Sequence, residues 1–220
     1  MLCLSVVDAE TQRDLIDRAQ AGDARAFQVL IQAELPRVRR FARAFCSRPD
    51  EADDLAQEAL VKAFVAIRSY RKQARFSTWL YRIVRNCMVD QTRTAYQRRR
   101  TLHDPFVDDG TVTVSQDRPD GAAEQEQLRG HLWDALQQLS SEFRTAVVLF
   151  DVEGMSHEEI AEIEGVAAGT VKSRLSRGRR QLRAILVDKG VLPHADSAPA
   201  RKDIRNEAVA TIVSPERTKS

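Results

Sequence analysis

Apolar residues recur at three- and four-residue steps over most of the chain. In the first block, Leu15, Ala19, Ala26, Phe27, Leu30, Ile31, Val38, Phe41 and Phe45 fit helical spacing. Gly22-Asp23 interrupts them as a turn or helix start, and Pro36 marks a kink or a first turn. A second helix is predicted after Pro49-Asp50, with Leu55, Leu60, Ala63, Phe64 and Ile67 as its apolar stripe. Asp50 is its expected N-cap, and Glu51, Asp53 and Asp54 crowd the first turns, where the helix dipole favours acids. A polar loop from Ser69 to Arg75 leads into a third helix starting near Phe76. There Leu80, Ile83, Val84 and Cys87 share one side, and Arg82, Arg85, Asn86 and Arg93 project from it.

A second block opens with the stripe Leu128, Leu132, Leu136, Leu139. A helix after Ser140-Ser141 carries Phe143, Val147, Val148 and Phe150, and Gly154 stops it. Ser156-His157-Glu158-Glu159 is a capping box for a short helix that ends at Gly165, a natural left-handed cap. After a tight turn, a further helix is predicted from Thr170 to Leu186. Two short helices joined by a Gly-containing turn, with Ala161 packed inside, form a helix-turn-helix pattern. In its second helix Val171, Leu175, Gly178 and Leu182 repeat with the period of a core face, which turns Lys172, Ser173, Ser176, Arg177 and Arg180 outward. Between Thr170 and Arg183 lie six basic residues and no acid. A solvated helix ordinarily intersperses acids for pairing one turn apart. A basic run alone is equally a charged surface, but after a capped helix and turn it suits a major groove, where arginine reads guanine and lysine or serine holds phosphate.

Between the blocks, Thr101 to Ala123 shows no sustained helical period. It holds Asp104, Asp108, Asp109, Asp117 and Asp120, with Arg118 as its only Lys or Arg, and Pro105, Pro119, Gly110 and Gly121. It reads as an extended acidic linker. The pattern therefore predicts an all-α protein: two small helical domains, 11–100 and 124–187, joined by the linker 101–123 and followed by an irregular tail, 188–220.

Composition changes this picture little: 220 residues, 43% hydrophobic, 30% charged, with a formal net charge of only +2. Overall charge does not predict nucleic-acid binding; its segregation along the chain does. Cys3, Cys46 and Cys87 are odd in number and widely spaced, against a disulfide framework or structural zinc and in keeping with a reducing cytoplasm. Residues 1–10 make a poor signal peptide, and no apolar run approaches the roughly 20 residues of a membrane span, so no membrane insertion is expected. His103, His131, His157 and His194 are scattered without ligand spacing, and there is neither a Gly-rich phosphate loop nor a nucleophile elbow. No enzyme, metal or cofactor is expected.

Three motifs then carry a family resemblance. The stretch from Gly169-Thr170-Val171-Lys172-Ser173-Arg174 to Arg179 resembles the recognition helix of extracytoplasmic-function (ECF) sigma-70 factors. Asp53-Asp54-Leu55-Ala56-Gln57-Glu58-Ala59 followed by Phe64 resembles their polymerase-binding helix, and Phe76-Ser77-Thr78-Trp79-Leu80-Tyr81-Arg82-Ile83-Val84-Arg85-Asn86 their −10-reading helix. Gly22-Asp23 through Ala26-Phe27 and Leu30 is similar to the family's first helix pair. The resemblance spans residues 11 to 186. It departs at Ala167, where the family often has proline, and in the long tail.

The resemblance implies a factor that directs core RNA polymerase to −35/−10 promoters and helps open the DNA. Asp53, Asp54, Gln57 and Glu58 would dock on the largest-subunit clamp helices, with the flap region a further polymerase contact. Arg71, Lys72, Tyr81, Arg82, Arg85 and Asn86 would bind the −10 element as a single strand, with Tyr81 stacking on a base and Trp79 in the core. Arg93 and Arg98 to Arg100 would meet duplex phosphates. Thr170, Lys172, Ser173, Ser176, Arg177 and Arg180 would bind the −35 duplex. The linker would thread positive channels of the polymerase, and an anti-sigma factor is a candidate partner. The alternative is a helix-turn-helix regulator or response regulator acting on duplex DNA without polymerase.

Overall fold

The computed structural model describes residues 9–101 and 121–193. All regular structure among them is helical, and the chain divides into two compact units, Met1–Phe106 and Val107–Ser220. The central linker residues 102–120 and the tail from residue 194 lie outside the described residues.

The first unit holds α1 (Ala9–Gln20), α2 (Ala24–Arg43), α3 (Pro49–Ala66) and α4 (Phe76–Thr101), with a 3-10 turn at Ile67–Ser69. Gly22, at φ +102°, turns the chain between α1 and α2 in a conformation that costs other residues strain. Asp23 then caps α2, accepting from the amides of Arg25 (2.9 Å) and Ala26 (3.1 Å). Arg18 grips the same carboxylate at 2.7 Å and holds it below the usual carboxylate range. Pro36 starts no helix: it lies inside α2, on the exposed side, where water can satisfy the carbonyl its ring leaves unbonded.

Asp50 is not the N-cap of α3. Pro49 occupies the first turn, because its missing N–H is no loss there, and this moves the cap back to Arg48. The Arg48 amide instead donates to Glu51 Oε2 at 3.3 Å. The buried face of α3 is Ala52, Leu55, Ala56, Ala59 and Ala63, and these small side chains let α2 and α4 approach closely. Against it pack Val38, Phe41 and Ala42 of α2 and Leu80, Tyr81, Val84 and Cys87 of α4, all fully buried.

The second unit holds α5 (Gly121–Gln137), α6 (Ser141–Val147), α7 (His157–Glu164) and α8 (Ala168–Asp188). Leu132, Leu136 and Leu139 are buried as their spacing predicts, whereas Leu128 is only half-buried. Arg144 donates to the Leu139 carbonyl (2.9 Å) and to that of Gln137, closing the C-terminus of α5. The helix after Ser140 does not run unbroken to Gly154: at Val148–Val152 it widens to a π-turn, marked by the Glu153 amide on the Val148 carbonyl at 3.0 Å. Gly154, at φ +70°, then ends it.

Candidate functional site

The helix-turn-helix is built by local bonds. The Ser156 amide donates to Glu159 Oε2 (2.9 Å) and the Glu159 amide to Ser156 Oγ (3.1 Å), starting α7. Gly165 closes it at φ +67°, ψ +35°, and the Val166 amide returns to the Ala161 carbonyl at 3.1 Å. Ala161 itself is half-buried; Ile160 and Ile163 supply the packing. Ala167 takes the extended N-cap conformation of α8, so the turn forms without a proline.

α8 is divided as its period predicts. Val171, Leu175, Gly178, Leu182 and Leu186 are buried, while Thr170, Lys172, Ser173, Ser176, Arg177 and Arg180 are exposed. The six basic residues do not share one task. Arg174 bridges Glu164 (3.2 Å) and Glu142 (3.3 Å), and Arg179 donates from Nε to Asp151 Oδ2 (2.9 Å) in a two-pronged pair whose acid is buried. The Arg179 guanidinium also lies 5.2 Å from the centre of the Phe150 ring. The π-turn presents both Phe150 and Asp151, so these inward arginines fasten α8 to the preceding helices. Lys172, Arg177 and Arg180 remain outward, with no ion pair among the described residues. Ser173 donates to the Thr170 carbonyl at 2.9 Å, leaving its oxygen lone pairs available.

In the first unit the four predicted docking residues fall on the outer side of α3. Asp54 and Gln57 are exposed, with no side-chain partner among the described residues. Asp53 pairs with Arg39 of α2 at 3.0 Å. Glu58 pairs with Lys62 at 2.8 Å and accepts from Gln91 at 2.9 Å. The Lys62 bond, then that of Gln91, hold its carboxyl below the usual range. Two of the four are thus already engaged within the fold. The same side of the helix continues into Val61, Phe64 and Val65, which are 65%, 48% and 74% exposed. Phe64 meets Phe27 edge-on at 5.1 Å rather than filling the core. Periodicity places Phe64 in the apolar stripe and gives Val61 and Val65 no role, although the steps 54, 57, 61 and 64 lie along one helical face.

The predicted −10 set is only partly assembled. Arg82 and Arg85 are half-buried and Asn86 is exposed on one side of α4, and Arg71 is exposed in the loop before it. Lys72 is exposed too, but its amine is paired with Asp17 of α1. Tyr81 is a correction: it is fully buried, with its ring against Phe41 at 5.2 Å, so it cannot stack on a base. Its place one residue past Leu80 turns it onto the core side of α4. Trp79 is half-buried against Tyr70 (5.0 Å) and Phe76 (5.5 Å). Arg93 and Arg98 to Arg100 belong to α4, but their side chains lie outside the described residues. No group of His, Cys, Asp and Glu among the described residues suits a metal ion, and no described helix is long and apolar enough to cross a membrane.

Family models for Sigma-70 region 2 and Sigma-70 region 4 match residues 30–100 and 129–182. The chain is 34% identical over 178 residues to the ECF RNA polymerase sigma-E factor of Haemophilus influenzae, covering 78% of this chain and 93% of that one. It is 31% identical to the ECF RNA polymerase sigma factor SigW of Bacillus subtilis, covering 79% and 95%. Among solved structures it is similar to the sigma factor RpoE of Bartonella quintana in complex with the anti-sigma factor NepR, with a TM-score of 0.62, 30% identity and coverage of 73% and 96%. It also resembles CnrH in complex with the cytosolic domain of CnrY, with a TM-score of 0.61 at 28% identity.

Proposed function

The chain belongs to the ECF family of sigma-70 factors, and from that premise we propose how its surfaces divide the work of promoter selection. The protein binds core RNA polymerase and gives it promoter specificity. The observation that carries this reading is the presence of sigma regions 2 and 4 in one chain, in that order. A helix-turn-helix alone would fit a duplex-binding regulator equally well.

In this proposal Asp54 and Gln57 make the first polar contacts with the clamp helices of the polymerase. Asp53 and Glu58 join by exchanging internal partners for basic groups of that subunit. Val61, Phe64 and Val65 extend the docking surface with apolar area. Arg71, Lys72, Arg82, Arg85 and Asn86 hold the melted −10 strand, as cations and hydrogen-bond donors along a backbone require. Lys172, Arg177 and Arg180 carry the −35 contact, with Thr170, Ser173 and Ser176 as hydroxyl partners. Residues 11–100 and 124–187 form the two working domains, and the acidic segment between them enters the polymerase's positive channels. The factor performs no catalytic step of its own and works in the cytoplasm, where its polymerase is. The similar Bartonella quintana sigma factor RpoE is in complex with the anti-sigma factor NepR, and we include such a protein among the partners.

Run-off transcription tests this reading. Purified protein with core polymerase should start transcripts at defined positions, on promoters mapped from transcript starts after overexpression. Retardation of free duplex without such initiation would sink it in favour of a duplex-binding regulator.

A further inference from the structure

The loop before α4 is held from outside the region-2 match. α1 ends at residue 20, ten residues before that match begins at residue 30. Yet the side-chain amide of Gln20 donates to two carbonyls at the entrance of this loop, Ile67 O at 3.1 Å and Tyr70 O at 2.7 Å. Three residues earlier, on the same side of α1, Asp17 pairs with Lys72. Lys72 is the one described residue other than glycine with a positive φ, at +57°. That conformation is uncommon for a long side chain, and it persists only where its surroundings over-determine it.

The rest of the loop is tied internally. Tyr70 is buried, its hydroxyl donates to the Ala74 carbonyl at 2.6 Å, and its ring packs on Trp79 and Phe76. The backbone of residues 70–75 therefore has a defined shape, with two anchors in α1 and one in its own tyrosine. A loop that accepts a splayed-out base must keep its backbone groups in place, since a hydrogen-bonded pocket discriminates only as well as its donors and acceptors are positioned.

We propose that Gln20 is a positioning residue for −10 recognition: it fixes the 70–75 loop in the shape that selects the single-stranded base, without touching DNA itself. The proposal rests on the assignment of this loop to the −10 strand. Asp17 does the same for Lys72, turning its backbone while leaving Arg71 free to meet the strand.

The test uses full-length protein with core polymerase on a promoter library randomised across the −10 element, with a second library randomised across −35. Run-off products are sequenced to give base preferences. For Gln20→Leu, which keeps the bulk and removes the amide, the −10 preference should flatten by roughly tenfold. Core affinity and the −35 preference should hold, while the thermal midpoint falls only by the small step that two lost hydrogen bonds cost. Lys72→Gly, which removes the anchor to Asp17, should flatten the −10 preference in the same direction and also lose some strand affinity. Gln20→Leu with a wild-type −10 preference would overturn the proposal. So would a joint loss of core affinity, −35 preference and thermal stability, which would mark Gln20 as a fold residue only. Failure of the wild-type protein to initiate would instead remove the sigma reading, and this proposal with it.

Discussion

Arg177 and Arg179 stand two residues apart on α8 with opposite environments. Arg177 is exposed and carries no ion pair among the described residues, whereas Arg179 is bound to the buried Asp151. Alanine at the two positions should therefore fail differently. Arg177→Ala should leave the thermal midpoint unchanged and cost about 1–3 kcal/mol of binding to the −35 duplex, with preference relaxed at one base pair. A loss uniform across sequences would make Arg177 a phosphate contact. Arg179→Ala should instead lower the midpoint, because it strands the Asp151 carboxylate. The cost is up to ~3 kcal/mol, the low end for a broken buried pair because Arg179 is itself partly solvated. Titrating both variants against a set of single-base duplexes and following their unfolding separates the two roles.

At the scale of elements, α6 and α8 cross closely at Gly178. A Cβ at Gly178 would lie 2.9 Å from Val147 Cγ2 and 3.2 Å from both Cβ and the carbonyl oxygen of Phe143. Alanine is worth about 1 kcal/mol over glycine inside a helix, but overpacking a close crossing costs roughly 1–3 kcal/mol. The contact with the Phe143 carbonyl is backbone, and Val147 is fully buried, so relief is costly. Gly178→Ala should lower the thermal midpoint and weaken −35 binding. Gly130→Ala in α5, with open space around its Cβ, should raise the midpoint. Equal gains from both would show that the crossing has slack.

These elements also mark how far the sequence was legible. The buried stripe of α8, the capping box of α7 and the left-handed Gly165 follow from spacing and residue type, because local bonds decide them. The assignments that failed depend on tertiary partners. Tyr81 looks like a stacking ring until Phe41 is placed beside it. Phe64 looks like core until the alanine face of α3 is seen to do the packing. Arg174 and Arg179 stand outside the outward set that the period predicts, but what they hold is visible only once Glu142, Glu164 and Asp151 are brought up to them. The π-turn that presents Asp151 leaves no mark on hydrophobic periodicity.

For the whole molecule, the proposed −35 and −10 surfaces would act together on one promoter, and each is modest: three outward cations on α8 and a short basic face on α4 with its loop. Joining them makes the second contact intramolecular, at an effective concentration in the millimolar range for a short connection that spans the sites. At micromolar protein, severing the connection should thus cost roughly 100-fold or more in −35-dependent initiation, even though both pieces are present. A protease site introduced beside Gly110 provides the test: run-off transcription from a −35-dependent promoter is measured before and after cleavage. A second substitution set separates tethering from charge. Changing Asp104, Asp108, Asp109, Asp117 and Asp120 to asparagine keeps the length and removes five negative charges. If the acids act by occupying the polymerase's positive channels, this variant should bind promoter normally but change the ratio of short abortive transcripts to full-length ones. Unaltered abortive ratios would reduce the segment to a spacer, and initiation that survives cleavage would show that the covalent connection is not needed.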